Sequence, residues 1–358
     1  MASIKRYKKS KGYGWRVQYR APDGTSRTKQ GFRTKDEAQA WADKNATTIR
    51  DGQWISPTVE SAAVSSLWAG WEKSQHHLAA SSMKALDASW RVHVKPRWGH
   101  TPVSKVHPAD VQEWVDELAG KRSPTIVHRA YGVLRSLMGD AVRYRMVRAN
   151  PCDGVRLPAK RGKKMYVLTE KQLRTLADEV SKYRSLVLFM GWTGARWGEA
   201  VALTVGDLDL DTGRATISKS ASTIGGKVSV GETKTGHTRT IGIPRHVCEE
   251  LKADVRGKLP GALVWTNARG GHLTTPSKRS WFHSAVARCR AADEDFPGVT
   301  PHDLRHTAAS MLIASGAPVT LVARQLGHQS AKLTLDTYAH LFDDQLSDVV
   351  GMSWSAAN

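Results

Sequence analysis

Cysteine is scarce in this chain. Among 358 residues there are three, Cys152, Cys248 and Cys289. They are scattered, odd in number and form no Cys-x-x-Cys pair. That excludes a disulfide-stapled scaffold and a cysteine-based zinc site, and it fits a reducing cytoplasm. Long apolar runs are missing too. No stretch of 18 apolar residues occurs, so no segment is expected to cross a bilayer as a helix. The first twenty residues carry Lys and Arg around no apolar core of seven or more, so no secretory signal is expected. Acidic residues are the third shortage: 33 Asp and Glu stand against 53 Lys and Arg, a formal charge of +20. A globular chain this basic is built to meet a polyanion. With no membrane partner indicated, nucleic acid is the expected one.

Hydrophobic residues make up 40% of the chain, enough for packed cores, and the length suits two to three domains. Three segments separate by pattern, with no internal repeat. The first, to about Arg50, holds thirteen basic residues against four acidic ones. Trp15 to Arg20 alternates large apolar with polar side chains, the period of a strand. Pro22-Asp23-Gly24 signals a turn, and Ser26 to Phe32 supplies the returning strand. Thr34 with Glu37 three residues on forms a capping box opening a helix that carries Ala38, Trp41 and Ala42 on one face. A small basic sheet backed by one helix can lay side chains into a DNA groove. Lys8, Lys9, Arg16, Tyr19, Arg20, Arg27 and Lys29 are its candidate contacts.

A linker with Gly52 and Pro57 follows. From about Ser61 to Asn150 the chain is helical by period. Leu67, Trp68 and Trp71, then Val111, Trp114, Val115 and Leu118, then Tyr131, Leu134, Leu137, Met138 and Val142 mark apolar faces of a four- or five-helix bundle. Asn150-Pro151 is expected to end the last helix. Arg161, Lys163 and Lys164 lie in an acid-free basic run beyond it that can follow a phosphate backbone. The third segment, from about Tyr166, mixes helices with short strands near Thr216–Ser218, Val228–Gly231 and Arg239–Ile243.

Five polar elements stand in this last segment: Arg196 between glycines in Gly194-Ala195-Arg196-Trp197-Gly198-Glu199, Lys234 at a turn between strands, His302-Asp303-Leu304-Arg305-His306 opening a helix, Leu326-Gly327-His328 ending one, and Tyr338. Singly each is weak. His302 and His306 have the i, i+4 spacing of zinc ligands. No third ligand accompanies them, so a metal is not expected.

In order and spacing, Arg, Lys, His-x-x-Arg, Gly-His and Tyr resemble the tyrosine recombinases, the phage-integrase family. Leu326-Gly327-His328 through Tyr338-Ala339-His340-Leu341 resembles integrases of actinobacterial phages in particular. The resemblance covers about Met165 to Phe342. It extends to the helical segment, which is similar to the family's core-binding domain, and to the N-terminal segment, similar to an arm-type DNA-binding domain. It implies a multidomain, mostly α fold with small β: a three-stranded sheet plus helix over 1–55, a core-binding bundle over 60–155, and a mixed α/β catalytic domain with a C-terminal tail over 165–358.

The resemblance also implies the chemistry. Arg196 and Arg305 clamp the scissile phosphate, since two guanidiniums fork onto its non-bridging oxygens. Tyr338 attacks phosphorus and forms a 3′-phosphotyrosine, conserving bond energy. Lys234 is the general acid for the leaving 5′ oxygen. His302 is the base for the tyrosine proton or a donor to the phosphate, His328 a donor, and Glu199 orients a neighbour. No metal and no ATP are implied. The expected partners are double-stranded attachment sites, a homo-tetramer on DNA passing through a Holliday junction, a host integration factor and a directionality factor, all in the cytoplasm of a bacterial host. The apolar tail from Leu341 docks either in cis or on a neighbouring protomer. Two rivals are a type IB topoisomerase-like relaxing enzyme, disfavoured by the arm-like segment, and a non-catalytic DNA-binding regulator, disfavoured by the complete residue set.

Overall fold

Residues 3–32 form an antiparallel meander of β1 (Ser3–Lys8), β2 (Tyr13–Arg20) and β3 (Ser26–Phe32). The computed structural model describes residues 2–10, 12–52, 54–56, 61–160, 165–224, 227–232, 236–339 and 341. The register sets Ile4 opposite Val17, Trp15 opposite Phe32, and Lys5 opposite Arg16. Paired residues share a face and neighbours alternate. Ile4, Trp15, Val17, Tyr19 and Phe32 therefore point one way, and α1 (Lys35–Arg50) covers them. Thr34 and Glu37 close the capping box: the Glu37 amide donates to Thr34 Oγ1 at 3.1 Å and the Thr34 amide to Glu37 Oε2 at 3.4 Å.

Four helices follow: α2 (Val64–Ser74), α3 (Ala80–Ser89), α4 (Pro108–Ala119) and α5 (Pro124–Arg143). α3 runs on through a π turn, Trp90–Val94, into Lys95–Trp98. Proline opens α4 and α5, where its missing amide hydrogen has no partner to lose. Trp98, Val111, Leu134, Leu137 and Met138 fill the core, and Trp71 Nε1 ties α2 to α5 through Ser136 Oγ at 2.7 Å. The last helix stops earlier than Asn150-Pro151, at Arg143. Arg145 takes a left-handed φ of 54°, and the Met146 amide returns to the Ala141 carbonyl at 2.8 Å, which buries Met146.

The chain divides into two units, residues 1–161 and 162–358. The second is built around α7 (Arg184–Thr193), which is buried on all sides and packs against α6 (Glu170–Glu179) and α11 (Asp303–Ala314). Leu186, Leu188, Phe189 and Met190 of α7 are at most 1% exposed, and each contributes about 1.5–3 kcal/mol by leaving water. α8 (Trp197–Ala200) follows it directly. A three-stranded sheet of β4 (Leu208–Asp209), β5 (Arg214–Ile217) and β8 (Arg239–Gly242) stands beside a hairpin of β6 (Lys219–Ile224) and β7 (Lys227–Glu232). α9 (Arg245–Val255), α10 (Trp281–Ala292), α12 (Val319–Leu326) and helical residues 331–339 complete the unit.

The fold is thus mostly helical with small sheets. All three cysteines are buried and unpaired, and burial pushes the Cys152 thiol up to about 12. Among the described residues no helix is long and apolar enough to cross a membrane.

Candidate active site

Two glycines shape the site by ending helices. Gly194 closes α7 in a left-handed conformation, φ 73°, and a Cβ there would meet Leu326 Cδ2 at 2.4 Å. Both facts require glycine. The turn aims the Gly194 carbonyl at Arg305, whose Nη1 donates to it at 2.7 Å. Gly327 closes α12 in the same way, φ 69°. A Cβ there would lie 2.6 Å from the Arg239 guanidinium carbon, so the bare glycine lets that guanidinium pass. The Gly327 carbonyl accepts from Arg196 Nη2 at 3.3 Å.

Arg196 sits at the N-cap of α8, three residues before Glu199. The Glu199 carboxylate takes Arg196 Nη1 at 2.8 Å and the Arg196 amide at 2.9 Å. Its two oxygens also receive Arg239 Nη1 at 3.1 Å and Nη2 at 2.7 Å, a two-point fork from β8. Glu199 is 2% exposed. Burial by itself raises its carboxyl, but the hydrogen bonds and charges of Arg239 and Arg196 carry it below the ordinary value. Glu199 is therefore an anion holding two cations.

Arg305 leaves the buried side of α11 and is 3% exposed. Asp303, the buried first residue of α11, pins the start of that helix by accepting from the Thr300 amide at 2.7 Å and hydroxyl at 2.6 Å. Burial first, and the Arg196 charge second, pull the Arg305 guanidinium down to about 9, still cationic at neutral pH. Its Nη2 and the Arg239 Nε are buried with no hydrogen-bond partner among the described residues. Orphaned buried donors of this kind are costly, and an anion satisfies them.

His328 follows Gly327 and is fixed by its amide on the Ala323 carbonyl at 3.0 Å and by its Nδ1 on Thr334 Oγ1 at 2.7 Å. Burial, then the charges of Arg305, Arg196 and Arg239, pull its pKa down to about 4. The ring is neutral at pH 7. A neutral ring that accepts from Thr334 at Nδ1 carries its hydrogen on Nε2, where it can donate. The Tyr338 ring lies parallel to it, 6.5 Å between centroids, packed with Ala309, Ile313, Val322 and Leu326. Tyr338 is 1% exposed. Burial raises its hydroxyl while the Arg305 and Arg196 charges pull it down, and the balance is upward.

The structure thus draws Arg196, Glu199, Arg305, His328 and Tyr338 into one cluster. His302 stands at the exposed start of α11, its ring 5.1 Å from that of His306. Lys234 lies outside the described residues, as do Arg161, Lys163 and Lys164. Two residues joined the site unannounced. Arg239 reaches Glu199 only because β8 pairs with β5. His306, weighed in the sequence only as a metal ligand, places Nδ1 2.9 Å from the Tyr338 hydroxyl. Among the described residues no group of three His, Cys, Asp or Glu side chains is placed to hold a metal ion.

The basic candidates of the N-terminal sheet divide by face. Arg16 and Arg20 lie on the side away from α1, with Lys5. Tyr19 does not: it is 7% exposed, edge-on to Trp41 at 5.4 Å, a core side chain rather than a free contact. Arg27 and Lys29 pair with Tyr19 and Val17 and so share the α1 side, where they line a groove with Trp54, Val106, Met146 and Arg148. Arg27 is also paired with Asp23 at 3.0 Å. Lys8 is exposed at the end of β1, and Lys9 Nζ lies 5.9 Å from the Tyr7 ring centre.

Residues 166–345 match the family model described as the phage integrase family. The chain belongs to that family. It is 28% identical over 319 residues to the integrase of Mycobacterium phage FRAT1, covering 84% of this chain and 92% of that one. Its fold is that of the Tn1549 transposon integrase solved with a circular intermediate DNA, with a TM-score of 0.71, 19% identity, and coverage of 82% of this chain and 100% of that one. A lambda integrase dimer bound to a COC′ core site is similar over 95% of both chains, with a TM-score of 0.59 and 15% identity. The chain is a site-specific DNA recombinase of the tyrosine type.

Proposed function

We propose that this recombinase cleaves and rejoins DNA at attachment sites through a 3′-phosphotyrosine on Tyr338. The observation that carries the reading is the cationic cluster beside that phenol. Arg196 and Arg239 hold the Glu199 carboxylate between them, Arg305 is fixed on the Gly194 carbonyl, and Arg305 keeps an unsatisfied buried donor. A phosphodiester supplies the missing acceptor, and its pentacoordinate transition state, more negative still, binds better.

In this reading Arg196 and Arg305 take the non-bridging oxygens and Glu199 fixes Arg196. His328 donates from Nε2. Lys234 protonates the leaving 5′ oxygen, and His302 serves the phosphate end of the same reaction. The positive charge at phosphorus comes from side chains, so neither metal nor ATP enters. Residues 1–55 act as an arm on DNA through Lys5, Arg16 and Arg20, residues 60–155 bind the core site, and residues 165–358 carry the chemistry. Lys5 directly opposite Arg16 is a like-charge pair, which a polyanion relieves. Four protomers assemble on two duplexes and pass through a Holliday junction, with host and directionality factors acting in the bacterial cytoplasm.

The test is a nicked duplex that releases its cleaved end and so traps the covalent complex. Wild-type protein forms the adduct with EDTA present. Tyr338→Phe binds the same duplex with nearly unchanged affinity and forms none. An adduct with the Phe protein, or a strict metal requirement, contradicts the reading.

A further inference from the structure

The Tyr338 hydroxyl is in contact with His306. Nδ1 of that ring lies 2.9 Å from the phenolic oxygen, and the two rings meet at 63° with centroids 5.7 Å apart. His306 follows Arg305 on α11, so the group touching the tyrosine and a guanidinium of the cluster are carried by adjacent residues of one rigid helix. Tyr338 is 1% exposed and its hydroxyl is pushed upward by burial, so it holds its proton at neutral pH. Attack on phosphorus must move that proton to a group within hydrogen-bond reach.

We propose that His306 is that group: it orients the Tyr338 hydroxyl through Nδ1 and takes its proton as the tyrosyl oxygen attacks the scissile phosphorus. This rests on the reading of Tyr338 as nucleophile. In the step, the tyrosyl O–H bond breaks and its proton passes to Nδ1. The tyrosyl oxygen–phosphorus bond forms, the bond from phosphorus to the 5′ oxygen breaks, and that oxygen takes a proton from Lys234. Rejoining runs the same path backwards, and the imidazolium returns its proton to the departing phenolate. Nδ1 accepts only in the neutral tautomer protonated on Nε2. The division of labour is physical. His302, at the exposed start of α11, serves the phosphate, while His306, one turn further into the helix, serves the phenol.

Asparagine separates orienting from proton transfer. His306→Asn leaves an amide oxygen near the Nδ1 position, which accepts a hydrogen bond but not a proton. His306→Ala removes both. The experiment is single-turnover cleavage by the full-length protein of a nicked duplex carrying its crossover site, made with oxygen or with sulfur at the scissile 5′ bridging position. A thiolate leaves without a proton donor, so the sulfur duplex relieves the need for the acid and not for the base.

The expected result is that His306→Asn binds both duplexes as wild type does and cleaves both about 10²-fold or more slowly, within the span of general-base effects. Lys234→Ala, slow on the oxygen duplex, recovers on the sulfur one. The proposal is overturned if His306→Asn cleaves within about threefold of wild type, far below such an effect. It is equally overturned if sulfur relieves the Asn defect as it relieves that of Lys234→Ala. Were His306 only an anchor keeping the tyrosine buried, both His306 variants would cleave as fast as wild type or faster. Tyr338→Phe runs in parallel. If it still forms an adduct, the nucleophile assignment has failed; if it is dead while His306→Asn is active, only the role of His306 has failed.

Discussion

Glu199 is the side chain on which the site's geometry turns. It is buried between Arg196 and Arg239. Arg239→Ala removes the two-point fork but leaves Glu199 paired with Arg196, so it is expected to cost about 1.5–3 kcal/mol in denaturant unfolding and to slow cleavage, because the carboxylate that fixes Arg196 is then held from one side only. Arg239→Lys keeps the charge but not the fork, and should fall between. Unfolding curves and adduct yields on the three proteins check this; an Arg239→Ala protein as stable and as active as wild type contradicts it. His328 gives a pH signature. Its ordinary value of 6.5 drops to about 4 in the folded chain. The unfolded chain therefore binds the proton more readily than the folded one, so stability is full above pH 6.5 and is lost as pH falls toward 4. Melting temperature against pH, without DNA, should show this loss in wild type and less of it in His328→Gln. Equal slopes in the two proteins would remove His328 as the cause.

At the scale of elements, β2 makes the sharpest distinction. One-residue alternation sends Arg16 and Arg20 to one face and Val17 and Tyr19 to the other, under α1. Arg16→Ala with Arg20→Ala should leave the melting temperature near wild type, lower affinity for arm DNA and flatten its salt dependence. Tyr19→Ala should do the reverse first, costing about 3 kcal/mol of sheet stability by emptying a packed aromatic site. Titrations at two salt concentrations, with melting curves, separate the two. If Tyr19→Ala lost DNA affinity while keeping its stability, the buried assignment would be wrong.

The same contrast shows what sequence makes legible. Thr34 with Glu37 announces its helix because capping is local. β6 passes unnoticed, and β1 is expected only through the family resemblance, because Ser220 and Ser222, or Lys5, Arg6 and Lys8, show no apolar alternation, and their pairing comes from neighbours. The last bundle helix is overrun because its apolar period gives no warning of the left-handed Arg145. In the site, residues carried by a recognisable spacing, such as Arg196 with Glu199 or Arg305 after His302, can be read in one dimension. Arg239 cannot, since it meets Glu199 forty residues away in sequence through strand pairing. His306 was visible, but only as half of a metal pair, because nothing in the sequence says that Tyr338 returns to it.

At the scale of the whole molecule, the excess of +20 is unevenly spread, and the first fifty residues, with thirteen basic side chains against four acidic ones, hold nearly half of it. In the proposed reading these residues are an arm whose tether raises the local concentration of a second DNA segment at the crossover site. Footprinting of the full-length protein against one beginning at Ser61 should show crossover protection in both and distal protection in the first alone. Protection confined to the crossover in both would remove the arm while leaving the chemistry intact. The central claim is the covalent link itself, and the most direct measurement is to trap the adduct on a nicked duplex in EDTA, digest it, and locate the nucleotide-bearing peptide by mass. The account predicts a single modified residue, Tyr338, joined to a 3′ phosphate. A link to any other residue, or to a 5′ phosphate, would contradict it.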